Sequence, residues 1–277
     1  MKFLQTILLC VLSMTLGFAA VPESQKSALI ELYNATEGSE WHHSWDLNTP
    51  VAEWYGVTIE GDEVVAINLN FNNLKGKLPE AIGQLQSLRS LNLAFNQISG
   101  ELPKGLLQLQ QLEVLQLFSN QICGTLPDHI DQLQNLKIIE LYNNNFTGEI
   151  PASIGNLPQL ETLLLSSNQL SGPLPKSMAQ LQELKVLSVF DNQLFGTLPS
   201  SIGKLAKLEE LVLSNNAFYG RLPSSLAELS NLKTLMLSNN GFKGNYAALK
   251  AQLPNIENFD LDQANLKGSL ATLDIED

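Results

Sequence analysis

The chain of 277 residues is poor in the residues that most often carry chemistry: it has two Cys, three His and only 16% charged residues. Cys10 falls in an apolar N-terminal run, which leaves Cys123 alone in the rest of the chain. That excludes a disulfide framework, so the ends of the fold must be held by side-chain burial. His42 and His43 sit in "WHHSW" and His129 stands alone, none of them at metal-ligand spacing or beside a repeated carboxylate. Neither a metal centre, a cofactor nor acid–base catalysis is expected, and these imidazoles read as solvated loop residues. Cations are scarce as well: 16 Lys and Arg face 28 Asp and Glu, for a net charge of -12. Such a surface excludes nucleic acid and anionic lipid as main partners, because phosphate binding needs clusters of Lys and Arg. Beyond residue 20 no apolar run is long enough to span a bilayer.

The N-terminal "MKFLQTILLCVLSMTLGFAA" has one Lys, an apolar stretch from Phe3 to Leu16 and small residues at Gly17, Ala19 and Ala20. This is the layout of a secretory signal, cleaved after Ala19 or Ala20, and it predicts a secreted, periplasmic or cell-surface protein. Gln5, Thr6, Ser13 and Thr15 interrupt the stretch and argue against a retained anchor. Leu9 precedes Cys10 where a lipoprotein signal wants a small residue, so lipidation is not expected.

What the chain has in abundance is periodicity. The phrase "NNNFTGEIPASIGNLPQL" from Asn143 to Leu160 recurs 24 residues earlier as "SNQICGTLPDHIDQLQNL" and 24 residues later as "SNQLSGPLPKSMAQLQEL". Aligned on Leu88, Leu112, Leu136, Leu160, Leu184, Leu208 and Leu232, the period holds without insertion from Val64 into a partial ninth copy at Ile256. A fixed period of this size predicts a solenoid. Apolar residues at the fourth and sixth positions of each copy mark a short strand, and strands one copy apart must run parallel. Asn recurs at the ninth position from Asn72 to Asn240, where the chain turns inward and a side-chain amide can satisfy the turn's backbone groups. The neighbours Asn143 and Asn145 are expected to face solvent. Gly follows from Gly76 to Gly268, and Pro79, Pro103, Pro127, Pro151, Pro175, Pro199 and Pro223 each start a short helical turn. In the eighth copy Tyr246 and Ala247 replace Leu-Pro, and Ala264 replaces Asn in the ninth, a decay that predicts a capping region.

Each copy reads approximately L-x-x-L-x-L-x-x-N-x-L-x-G-x-L-P-x-x-I-x-x-L-x-x, which resembles leucine-rich repeats of the plant type, found in receptor ectodomains and polygalacturonase-inhibiting proteins. The resemblance implies an α/β solenoid, a horseshoe or superhelix with a parallel β-sheet on its concave face and short helical turns on its convex face. The domain reading is a signal peptide (1–20), an N-terminal cap (21–63), a repeat domain (64–271, the last copy partial) and an acidic tail (272–277). In the cap, Ala28, Leu29, Leu32 and Tyr33 have helical spacing, and Leu32-Tyr33-Asn34 and Trp54-Tyr55-Gly56-Val57 are similar to the family's cap. The family often has a cysteine where this chain has Ile59, and its absence looks more like bacterial members. Sequons at Asn34 and Asn145 matter only in a source that glycosylates its exports.

Cys123 shares its repeat position with Ser99, Thr147 and Ser171 and reads as a small packed residue rather than a nucleophile. Position two alternates in sign from Arg89, Glu113, Lys137 and Glu161 through Lys185, Glu209, Lys233 and Glu257, which predicts a ladder of ion pairs that fixes strand pairing. Outward strand positions three, five and seven vary most, and their aromatics with few charges predict a binding patch. The candidate ligand-binding residues are Gln116, Phe118, Glu140, Tyr142, Leu164, Phe190, Val212 and Met236. The expected partner is a protein or peptide, with enzyme inhibition as one version. Glycan or cell-surface attachment is the alternative, with Phe118, Tyr142 and Phe190 as stacking platforms. Ice binding is disfavoured because the turn column Lys77, Glu101, Thr125, Glu149, Pro173, Thr197, Arg221 is not a run of Thr.

Overall fold

The computed structural model describes residues 21–244 and 246–260. The signal segment, most of the ninth copy and the acidic tail lie outside the described residues.

The chain opens with helix α1 (Glu23–Ala35), whose Ala28, Leu29 and Leu32 are fully buried. Trp41, Trp45 and Trp54 complete a small aromatic core, with Trp45 stacked on Trp54 at 4.8 Å and edge-on to Trp41 at 4.9 Å. Burying an indole is cheap only when its N–H finds an acceptor. Here the Nε1 groups donate to the carbonyls of Thr36 (2.8 Å), Tyr55 (2.8 Å) and Asp46 (3.1 Å) in turn. Strand β1 (Val57–Glu60) runs antiparallel to β2 (Glu63–Asn68), and β2 becomes the first member of the parallel sheet. The buried Gln25 ties the helix to that strand: its Oε1 accepts from the Val64 N–H at 2.9 Å.

From β2 onward each copy adds one three-residue strand in unbroken register, so that Leu91, Leu115, Ile139, Leu163, Leu187, Leu211 and Leu235 lie side by side. The sheet has ten strands, and its inward side chains form one continuous core along the solenoid. Neighbouring copies bury each other's apolar residues, which is why none would hold alone.

The asparagine column performs the expected task. Asn96 Nδ2 donates to the carbonyls of Leu69 and Leu93, both at 2.9 Å, while its Oδ1 accepts from the N–H groups of Asn72 and Leu74, both at 3.0 Å. The same bridging to the preceding copy recurs from Asn120 to Asn240. Asn72 has no preceding copy, and the cap supplies the partner: the His43 N–H donates to Asn72 Oδ1 at 2.7 Å. Both His rings are exposed as expected, but the loop is not passive, since its backbone closes the ladder and the His43 ring stacks on Tyr55 at 4.2 Å. Asn143 and Asn145 face solvent.

Two expectations need correction. The convex side has its helical turns, 3-10 helices in which each Pro carbonyl accepts the first bond, as in Ile82 N–H to Pro79 at 3.2 Å. It also carries a second, eight-stranded parallel sheet, from Lys75–Lys77 to Gly241–Lys243. After the Asn turn the chain stays extended over x-L-x-G. The apolar residue (Ile98, Ile122, Phe146, Leu170, Leu194, Phe218) is buried there, and the backbone pairs with copies on either side. Gly76 opens this sheet at φ +107, with space so tight that a Cβ would lie 2.2 Å from the Ala35 carbonyl oxygen of the cap. Cys123 belongs to the outward column of the same sheet and is half-buried rather than enclosed. The column is a surface one, because Phe195 and Tyr219 occupy it with 48% and 55% of their area exposed. Where Leu-Pro is lost in the eighth copy, helix α2 (Tyr246–Gln252) replaces the 3-10 turn.

Candidate functional site

The concave face displays the outward residues of the ten-stranded sheet and of the turn that follows each strand. That turn has a consequence for the side chains on it. The eighth residue of every copy, from Phe71 to Asn239, adopts left-handed backbone with φ between 51 and 55°. This rotation points its N–H at the next copy, as in Phe71 to Ala94 at 3.1 Å and Phe95 to Phe118 at 3.0 Å. Asn, Asp and small polar residues tolerate that conformation best, and Ser, Asn or Asp fill it in the third to eighth copies. The first two copies instead hold Phe there, 61% and 41% exposed. A bulky residue in strained backbone, on a surface, is a local cost that points to a use elsewhere.

These two rings meet the predicted ones. Phe71 stacks on Phe95 at 4.0 Å (14° between planes), Phe95 meets Phe118 edge-on at 5.0 Å (82°), and Phe118 stacks on Tyr142 at 4.4 Å (11°). The result is one aromatic ridge across four copies, crossing from the eighth column to the seventh between Phe95 and Phe118. Phe71 and Phe95 escape a reading confined to positions three, five and seven; the signal for them is a Phe in a column of Ser, Asn and Asp.

Of the candidate residues, Gln116, Phe118, Glu140 and Tyr142 form one contiguous group: Gln116 Nε2 donates to Glu140 Oε2 at 2.9 Å beside the Phe118–Tyr142 stack. Burial, and then the Glu140 charge, push the Tyr142 hydroxyl above its ordinary value of 10.0. Leu164, Val212 and Met236 continue the central column as half-buried side chains, and Phe190 stands 36% exposed two copies beyond Tyr142. Between Tyr142 and Phe190 the face turns polar, with the hydroxyls of Ser166 and Ser188 2.7 Å apart. Phe118 and Tyr142, expected to be open to solvent, are half-buried because they cover each other.

The edge of the face carries the charge ladder. Lys137 pairs with Glu113, Lys185 with Glu161 and Lys233 with Glu209, each at 2.6 Å, whereas Arg89 turns back to Glu60 of β1. Among the described residues no group of three or more His, Cys, Asp or Glu could hold a metal ion, and no helix is long and apolar enough to cross a membrane.

Residues 114–259 match the family described as "Leucine-rich repeat region", and residues 64–85 and 87–109 match "Leucine Rich Repeat". The chain belongs to the leucine-rich-repeat proteins. This leucine-rich-repeat chain superposes on the ectodomain of the Arabidopsis thaliana receptor kinase GASSHO1/SCHENGEN3, solved with CASPARIAN STRIP INTEGRITY FACTOR 2, at a TM-score of 0.81 and 30% identity. The match covers 86% of this chain and 29% of that one. The Arabidopsis receptor kinase HAESA, solved with the peptide hormone IDA and the co-receptor SERK1, matches at a TM-score of 0.79 and 30% identity over 87% of this chain and 42% of that one. The leucine-rich-repeat chain therefore spans less than half of either receptor chain. A plant ice-binding protein shares the fold at a TM-score of 0.66 and 24% identity, covering 87% of this chain and 86% of that one. No curated protein matches the chain in sequence. The leucine-rich-repeat ectodomain fold is typical of receptors and binding proteins.

Proposed function

We propose that the chain is a non-enzymatic recognition module, secreted or held at the cell surface, whose concave face binds a protein or peptide segment. The observation that carries this is the aromatic ridge from Phe71 to Tyr142, built in part from Phe residues in backbone that disfavours them. Exposed aromatics anchor interfaces because a few of them supply most of the binding energy. Similar ectodomains solved with peptide ligands support the same reading.

The way the rings are arranged favours a polypeptide over a glycan. A sugar platform needs open ring faces, and each stack closes one face of both its rings, Phe71 with Phe95 and Phe118 with Tyr142, while Phe95 also lies edge-on against Phe118. What the ridge offers is a continuous apolar strip of stacked rings, most open at Phe71, suited to aliphatic and aromatic side chains.

The test replaces Phe118, Tyr142 and Phe190 by Ala and compares capture of the natural partner with that of a convex control, Lys104→Ala, Asp128→Ala and Lys176→Ala. The concave triple variant loses partner binding by about 2 kcal/mol or more per anchor, while the control keeps it. Each broken ring pair costs about 1 kcal/mol of stability, so the variant still folds. Full affinity in the concave variant together with loss in the convex one would place the working surface on the wrong side.

A further inference from the structure

The concave face is one-sided in charge as well as in shape. From Ala66 to Asp260 its outward positions three, five and seven, and the turn position eight, hold Glu140, Asp191, Glu210 and Asp260 and neither Lys nor Arg. The cations nearest to it, Arg89, Lys137, Lys185 and Lys233, stand at position two, and each is paired with a carboxylate along the edge. Nothing on the face itself offsets its negative potential. That potential reaches the ridge, where Glu140 is among the causes that raise the Tyr142 hydroxyl.

We infer that the segment recognised is an extended basic peptide, which lays apolar side chains along Phe71, Phe95, Phe118 and Tyr142 and directs Lys or Arg to Glu140, Asp191 and Glu210. This rests on the concave face being the recognition surface and adds the chemistry of the ligand. The two halves of the face call for different side chains. The ridge recovers apolar area on contact and has no carboxylate among its rings to pair with a cation. Basic groups are drawn instead to Glu140 beside the ridge and to Asp191 and Glu210 beyond it, where charge-assisted bonds form. An acidic segment would meet carboxylates with no cation between them, which opposes both encounter and docking. The distance also fits a short segment: the copies carrying Phe71 and Glu210 are six strand spacings apart, roughly 29 Å, which an extended peptide covers in about nine residues.

The test is selection from a random peptide library, about twelve residues long to exceed that span, on the purified chain. Counter-selection uses the variant Phe71→Asn/Phe95→Asn, which keeps every charge and places at both sites a residue the column already uses. Peptides held by net charge alone are removed by that step. Retained sequences should combine Lys or Arg with apolar residues. Their affinity should fall at least about tenfold on Glu140→Gln/Asp191→Asn/Glu210→Gln and on raising salt from about 0.05 to 0.5 M. Retained peptides that are acidic or uncharged, or that bind the neutralised variant as well as the original, overturn the charge assignment and leave the concave face standing. Failure to enrich any peptide that discriminates the Phe variant overturns both.

Discussion

Phe71 and Phe95 hold a conformation that a Cβ-bearing aromatic ring normally avoids, and they do so only where the ridge needs a ring. The strain is separable from the ring by choice of substitute. Phe95→Ala and Phe95→Asn both remove the stack with Phe71 and the edge contact with Phe118, together worth about 1–2 kcal/mol. Asn tolerates left-handed backbone better than Ala does, so Phe95→Asn should unfold at higher denaturant than Phe95→Ala, by about 0.5 kcal/mol. Partner affinity should fall equally in both. An Ala variant more stable than the Asn one would show that the backbone at this position is not what limits the choice of residue. These residues also mark where sequence reading reached its limit. Strand alternation identifies Phe118 and Tyr142 as outward. Phe71 and Phe95 reach the same ridge through a turn, whose direction depends on a φ that pattern alone does not reveal.

At the scale of the element, the charge ladder and the second sheet differ in how plainly they are written. Alternating signs at a fixed position translate directly into pairs one strand apart, and the Lys–Glu couples at 137–113, 185–161 and 233–209 follow. Arg89 departs from the series because β1 of the cap brings Glu60 within its reach. The second sheet left no strand alternation to read, since most of its strands have a single buried residue and are held by backbone bonds between copies, which any sequence can make. For the ladder, the hydrogen bond from Lys185 holds the Glu161 carboxyl below its ordinary 4.5, and Lys233 does the same for Glu209. Lys185 and Lys233 are raised above their ordinary 10.5 by the same bonds. A lowered carboxyl contributes stability that is present above the ordinary carboxylate range and lost as pH falls through the lowered value. A raised Lys contributes stability present below the ordinary Lys range and lost as pH rises through the raised one. The pairs should therefore hold steady between about pH 5 and 10. Lys185→Glu adds a carboxylate between Glu161 and Glu209, three in register, and it should lower the melting temperature by a few degrees at low salt and by less in high salt. A variant whose melting point is unchanged at low salt would reduce the ladder to decoration.

For the molecule as a whole, the repeats stand or fall with their ends. The cap covers the apolar side chains of β2, supplies His43 to Asn72 and Gln25 to Val64, and meets Gly76 through Ala35. Removing residues 21–63 should leave these groups open and give an aggregating product, whereas a soluble monomer with an unchanged melting temperature would show the cap to be dispensable. The solenoid itself was legible because nine copies repeat one spatial demand. The cap was legible in outline, from the spacing of Ala28, Leu29 and Leu32, although its tryptophan core and its bonds to the first copy depend on contacts far apart in sequence. The most direct test of the whole account places fluorine on the Phe rings by growth on 4-fluorophenylalanine and follows their resonances as the natural partner is added. Signals assigned to Phe71, Phe95 and Phe118 should shift or broaden while that of Phe195, exposed on the second sheet, stays in place. Movement of Phe195 with the ridge signals unchanged would contradict it.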